Sequence, residues 1–297
     1  MRIAVTGRDG QVARALAELG DRSGHKIVAL GRPTFDLSDP ATIEPALKKA
    51  RPDIVVNAAA YTAVDQAENE PEAAEAVNGA GAGAVAAAAL GVPVLQLSTD
   101  YVFDGAKPTP YREDDAVGPL GVYGRSKLAG ERAVAAANPR HVILRTAWVY
   151  APYGSNFVRT MLRIATTKPE VGVVADQHGC PTSALDIAAT LIGVAERIGS
   201  EPGNPELYGA FHMAARGEAV WADVAEAVFA ASRQRGGPAT QVKRITTADF
   251  LTQARRPANS RLDCTKLSQV YGITLPEWRA SLERCVGRLV GEMHATG

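Results

Sequence analysis

Arg2-Ile3-Ala4-Val5-Thr6-Gly7-Arg8-Asp9-Gly10-Gln11-Val12-Ala13 is the stretch that decides the fold. Five residues of mostly branched apolar character read as a buried strand, too short a run for a signal peptide. A Gly-x-x-Gly-x-x-Ala turn then opens a helix. Small residues allow a tight turn and close backbone approach, and a helix N-terminus attracts pyrophosphate. A plain strand-to-helix turn is the alternative, but the position directly after the strand favours a dinucleotide held by Gly7, Gly10, Gln11 and Val12.

Working outward, further apolar runs predict strands over 26–30, 53–57, 94–98 and 142–146, each buried on both faces. Helical patterns lie between them, over 11–19, 40–49, 71–89 and 124–137. Asp39-Pro40 supplies an N-cap followed by proline in the first turn. The alternation implies an α/β fold, a Rossmann-type doubly wound parallel sheet with helices on both faces. After residue 150 the rhythm changes. Helices are expected over 156–165, 183–197, 221–232 and 278–293, with a further strand near 207–213 and an irregular stretch over 247–262. Residues 1–150 therefore read as an NADP-binding Rossmann domain. Residues 151–297 read as a smaller, partly interleaved α/β substrate-binding domain, some segments of which return to the first.

Composition narrows the function classes. Lys+Arg and Asp+Glu are balanced at 32 each in 297 residues, so no basic stripe points to nucleic acid and no polybasic tail to a membrane. The uncharged run over 79–97 is mostly Ala and Gly and is broken by Pro93; it reads as a buried helix entering a buried strand. Cys180, Cys264 and Cys285 are scattered, with no Cys-x-x-Cys, and the five histidines lack metal-ligand spacing, so no metal is expected. A reducing cytoplasm fits.

The chemistry concentrates at strand ends. Leu30-Gly31-Arg32 closes the second strand, where an NAD-preferring fold usually places an acid; Arg32 can pair with a 2′-phosphate or remain a solvated loop residue. Asp36-Leu37 follows where adenine can lie, or Asp36 is a loop cap. Asn57-Ala58-Ala59-Ala60-Tyr61-Thr62 ends the third strand with small residues beside a cofactor path. Leu97-Ser98-Thr99-Asp100 ends the fourth. Tyr123 and Lys127, four apart on the next helix, share a face. At ~4 Å and an effective dielectric of ~20, an ammonium favours a phenolate by roughly 4 kcal/mol. Such a shift brings a tyrosine pKa from ~10 towards ~7, the range of a general acid.

These blocks, with Arg145-Thr146-Ala147-Trp148, Asn156-Phe157, Asp176-Gln177-His178-Gly179-Cys180-Pro181-Thr182 and Arg255-Arg256-Pro257-Ala258-Asn259-Ser260-Arg261, resemble the extended short-chain dehydrogenase/reductase superfamily. Within it the chain is similar, over nearly its whole length, to the dTDP-4-dehydrorhamnose reductases. The resemblance implies reduction of a 4-keto sugar nucleotide, a dTDP-sugar, by NADPH, with NADH also open. Tyr123 would donate the proton, Lys127 would bind the nicotinamide ribose and Thr99 would hydrogen-bond the carbonyl. Asp100 and Trp148 would contact the sugar; Ala60, Tyr61 and Thr62 would line the dinucleotide path. On the substrate side, Arg255, Arg256 and Arg261 would answer the diphosphate, and Asn156 and Phe157 would meet the base. Some relatives dimerise through Mg²⁺, but the matching carboxylate position here is Ala15, which argues against a metal and leaves a monomer or homodimer. An epimerase or dehydratase of the same superfamily, and a non-catalytic NADP-binding regulatory subunit, are the rival readings.

Overall fold

The computed structural model describes residues 1–89 and 91–296. Leu90, within the uncharged run, lies outside them. Six parallel strands form one sheet in the order Gly209–His212, His141–Thr146, Val94–Thr99, Ile54–Asn57, Arg2–Thr6 and Lys26–Leu30. The order turns back at Arg2–Thr6, so the crevice at the carboxyl ends of the strands lies where such sheets take ligands. Alternate residues of each strand face opposite layers. Ile3, Val5, Val56, Leu95, Leu97 and Leu144 pack with the helices Gln11–Gly20 and Ala184–Ser200. Ala4, Val55 and Val94 pack with Ile43, Leu47, Val85 and Val134 on the other side.

Lys26–Leu30 is an exception to the expected two-sided burial. It is the sheet edge, and both Lys26 and Ala29 are exposed. The expected helix over 40–49 begins as a 3-10 turn, Pro40–Thr42, with Asp39 accepting from the Ala41 amide, and continues as Ile43–Ala50. The expected single helix over 71–89 is also modified. Pro71–Glu75 and Ala82–Ala88 are α-helical, but Ala76–Gly81 between them is a π turn. A Cβ on Gly81 would stand 2.4 Å from the Leu37 carbonyl oxygen, so the segment presses against the neighbouring loop.

The remainder builds a second apolar cluster. Phe157–Ala165, Trp221–Arg233 and Trp278–Thr296 enclose Tyr150, Leu162, Phe229, Trp278 and Val286. Beside it Glu170–Val174 pairs in parallel with Gln241–Ile245, two strands not expected from the sequence. The helix Thr265–Tyr271 is also additional. Gly209–His212 returns to complete the main sheet. Among the described residues no helix is long and apolar enough to cross a membrane.

Three buried polar side chains link the sheet crosswise. Thr6 Oγ1 accepts from the amides of Ala58 and Ala59 (3.1 and 3.0 Å) and donates to Asn57 Oδ1 (2.6 Å). Asn57 Nδ2 donates to Gln96 Oε1 (2.7 Å), and Gln96 Nε2 to the Leu97 carbonyl (2.9 Å). Each member is satisfied, as buried polar groups require.

Candidate active site

The first turn has the backbone that a dinucleotide needs. Gly7 sits at φ +81°, and a Cβ there would lie 3.0 Å from the Ala59 Cα. Only glycine combines that conformation with that approach. Gly7 and Arg8 amides donate to the Leu30 carbonyl (2.9 and 3.1 Å), and the Gly10 amide to the Gly7 carbonyl (2.7 Å). The free amides of the Gln11–Gly20 helix open beside Gly10, a ready anion cradle. Val12 is buried beneath it. These residues fit a pyrophosphate.

Past the second strand stands a charged residue to which sequence reading gave no role. Arg8 Nη2 donates to the Arg32 backbone carbonyl (3.2 Å), which brings the Arg8 guanidinium to the chain at Arg32, and both residues are exposed. Arg8 occupies a variable position of the glycine turn, and its charge there was the available signal. Asp36 is engaged locally: its carboxylate accepts from the Ser38 amide (3.0 Å) and hydroxyl (2.7 Å), which hold its pKa below the ordinary value. Leu37 is buried.

Asn78 was also missed. It lies in the π turn, where functional residues are common. Its amide bonds both the N–H (2.8 Å) and carbonyl (3.0 Å) of Tyr61, and donates to Ser126 Oγ (3.0 Å). It thereby ties the Ala60-Tyr61-Thr62 loop to the helix that carries Tyr123 and Lys127. An asparagine interrupting an Ala/Gly run was the clue.

That helix, Val122–Ala137, comes unusually close to its neighbours. A Cβ on Gly124 would fall 2.2 Å from the Tyr101 carbonyl oxygen, and one on Gly130 2.0 Å from that of Asn78. Tyr123, Lys127 and Glu131 recur every fourth residue on it. Lys127 is buried and its Nζ donates to the Leu97 carbonyl (2.7 Å). Burial pulls its pKa down to about 8, with Glu131 opposing. Glu131 accepts from Ser98 Oγ (2.5 Å) and takes a bidentate contact from Arg145 (2.9 and 2.7 Å), all three buried.

Thr99 and Asp100, at the end of the fourth strand, meet Tyr123. The Thr99 hydroxyl lies beside the phenol and donates to Asp100 Oδ1 (3.0 Å). The Tyr101 ring meets Tyr123 edge-on at 5.5 Å. The expected lowering of the Tyr123 pKa is overturned: desolvation dominates and raises it, with Thr99 opposing. Lys127 faces the Leu97 carbonyl, so its charge does not offset the burial.

Asp100 is buried with Oδ2 unpartnered, and desolvation lifts its pKa to about 6 against hydrogen bonds from Ser260 and Thr99. Because the folded value exceeds the ordinary 3.8, this group's stabilising protonation is intact below about pH 4 and lost as pH rises through about 6. Asp100→Asn is therefore expected to raise stability at pH 8 by ~2–3 kcal/mol and to match the wild type near pH 4. Urea unfolding at the two pH values checks this; equal stabilities at pH 8 contradict it.

Trp148 lies two residues past the end of the strand His141–Thr146. Its φ of +51° is an unusual conformation for a bulky residue and costs ~1–3 kcal/mol. Its ring stacks on Trp221 at 3.7 Å and 11°, and Phe157 tilts against Trp221 at 4.6 Å. Asn156 is the N-cap of Phe157–Ala165, accepting from the Arg159 amide, and donates to Gln11 Oε1 (3.0 Å) and the Ala151 carbonyl (2.9 Å). Arg256 reaches Asp65 (2.7 Å) and the Tyr101 hydroxyl (3.2 Å). Arg261 is engaged by Glu218 (2.7 Å), Asn259 (2.8 Å) and the Pro108 carbonyl, and Arg255 is exposed. Ala15 is fully buried, and the nearby Glu18 carboxylate is taken by Arg288.

A doubly wound parallel sheet with a dinucleotide turn, a strand-end threonine and a Tyr-x-x-x-Lys helix defines the extended short-chain dehydrogenase/reductase class. More narrowly, the chain belongs to the RmlD substrate binding domain family, whose model matches residues 1–290. It is 54% identical to a dTDP-4-dehydrorhamnose reductase of Sinorhizobium fredii, over 98% of this chain and 99% of that protein. A dTDP-4-dehydrorhamnose reductase of Clostridium acetobutylicum superposes with a TM-score of 0.88 at 35% identity, covering 96% and 98% of the two chains. The Bacillus anthracis dTDP-4-dehydrorhamnose reductase, solved in complex with NADP, gives 0.87 at 32% identity, covering 95% and 97%.

Proposed function

We propose that the protein reduces the C4 ketone of dTDP-4-dehydro-β-L-rhamnose to dTDP-β-L-rhamnose with NADPH, for rhamnose-containing surface polysaccharide. The observation that carries this is the meeting of Tyr123 and Thr99, with buried Lys127 one turn further along the Tyr123 helix, in a sheet that opens with a dinucleotide turn. The names of its relatives support the substrate.

What a bound nicotinamide supplies is hydride to the ketone carbon. Tyr123 keeps its proton at neutral pH, because burial disfavours the phenolate, and passes it to the ketone oxygen as charge develops there. The Thr99 hydroxyl, whose one hydrogen here bonds Asp100 Oδ1, turns to give that oxygen a hydrogen bond when substrate is present. Lys127 has further donors beyond the one used on Leu97 to hold the cofactor ribose. Asp100 and Trp148 face the sugar. Arg256, half-buried beside Tyr101, answers the diphosphate. Asn156 acts on the base side by capping the Phe157 helix, which its bond to Gln11 ties to the cofactor turn, and Arg261 braces the segment that carries Arg256. In this reading residues 1–150 hold the cofactor and residues 151–297 mainly the sugar nucleotide.

The test follows NADPH absorbance with dTDP- and UDP-linked 4-keto-6-deoxy sugars in parallel. Consumption with the dTDP sugar is expected. A protein that binds NADPH but oxidises it with none of them is a regulatory subunit; one that retains NAD⁺ without net turnover is an epimerase.

Cofactor choice yields a separate expectation. With Arg8 bonded to the Arg32 carbonyl, both residues exposed and Asp36 occupied by Ser38, the double change Arg8→Ala/Arg32→Ala should raise KM for NADPH by roughly 10- to 100-fold and leave that for NADH nearly unchanged. Equal effects on both cofactors count against a 2′-phosphate site here.

A further inference from the structure

Trp221 enters the sequence only as the first residue of a helix, yet its ring stacks on that of Trp148. The short strand before it, Ala219–Val220, pairs antiparallel with His178–Gly179: Ala219 faces Gly179 and Val220 faces His178, so Trp221 stands two residues beyond the partner of Gly179. Gly179 is itself held against the other indole: a Cβ there would fall 2.4 to 2.8 Å from three atoms of the Trp148 ring. The Trp148 carbonyl is fixed as well, accepting from the Thr182 amide at 3.2 Å. Backbone, Gly179 and the stacked face of Trp221 thus confine one side chain whose own backbone is in the left-handed region. Trp148, Trp221 and Phe157 are all half-buried, so the stack keeps an open rim.

We propose that Trp221 is a positioning residue that sets sugar-nucleotide affinity by holding Trp148 in this strained pose, with Gly179 as the second jaw. This rests on the proposed function, in which Trp148 faces the sugar. A left-handed tryptophan released from its stack has open alternatives, so the sugar contact loses its preorganisation rather than its chemistry. The loss should therefore fall on substrate KM, with kcat and NADPH KM little changed.

Two variants reach the same point from opposite sides. Trp221→Ala removes the stacking face, and Gly179→Ala drives a methyl into the ring with Trp221 intact. Each is expected to raise KM for the dTDP sugar roughly tenfold, the scale of a lost aromatic pair, while Trp221→Phe recovers most of it. Far-ultraviolet circular dichroism supplies an independent readout, because two indoles stacked at 3.7 Å give an exciton couplet. The wild type should show the couplet, and Trp221→Phe should abolish it while keeping substrate affinity. Unchanged KM in both Trp221→Ala and Gly179→Ala, or absence of the couplet in the wild type, overturns the proposal. A wild type that shows the couplet but reduces no sugar nucleotide refutes the proposed function, and with it any role for Trp221 in affinity.

Discussion

Tyr123→Phe is expected to lower turnover by ~10²–10⁴-fold while NADPH affinity stays nearly unchanged. The substitution deletes one oxygen from a half-buried ring and leaves its edge contact with Tyr101 in place. The shape of the crevice survives, as do the Thr99 hydroxyl and the Lys127 anchor. Only the proton donor is removed. The size of the effect separates this role from a packing role, since loss of a single neutral hydrogen bond accounts for only about tenfold. Single-turnover measurements with NADPH and the dTDP sugar provide the test; turnover within a few-fold of wild type sinks the mechanism.

The largest stability effect is expected at Glu131. Its carboxylate receives Ser98 and both arms of Arg145 inside the protein, and Arg145 Nη1 is already without a partner. Glu131→Ala leaves a buried guanidinium with no counter-charge, which costs ~3–5 kcal/mol. Equilibrium urea unfolding measures it. The double change Glu131→Leu/Arg145→Met removes both charges and is expected to recover most of that loss. A single variant losing under ~1 kcal/mol would mean that the pair contributes little beyond its own desolvation.

The central strands were readable because each is a continuous apolar run, and such runs have few alternatives to a doubly covered sheet. Lys26–Leu30 has the same composition but sits at the edge, a placement that depends on strand order. Glu170–Val174 and Gln241–Ile245 escaped notice because each is ambiguous alone; they are strands by virtue of pairing across some seventy positions. The π turn at Ala76–Gly81 likewise follows from contacts with Leu37 and Gly130, which no local pattern announces. Within the site, the spacing of Tyr123 and Lys127 gave the face they share. It could not give their electrostatics, because the direction of both shifts is set by burial, a property of the assembled molecule.

The crosswise polar ladder ends on the Leu97 carbonyl, the same oxygen that receives Lys127. Its members come from three adjacent strands, so it closes only when all three lie in register. A slip of one residue would turn Asn57 or Gln96 to the opposite layer and strand its amide. The lysine's anchor is thus completed by the same event that completes the sheet. A partly assembled chain has no half-built version of this centre, and hydrogen exchange at Ala58 and Ala59 should report on global opening and loss of the lysine's seat together.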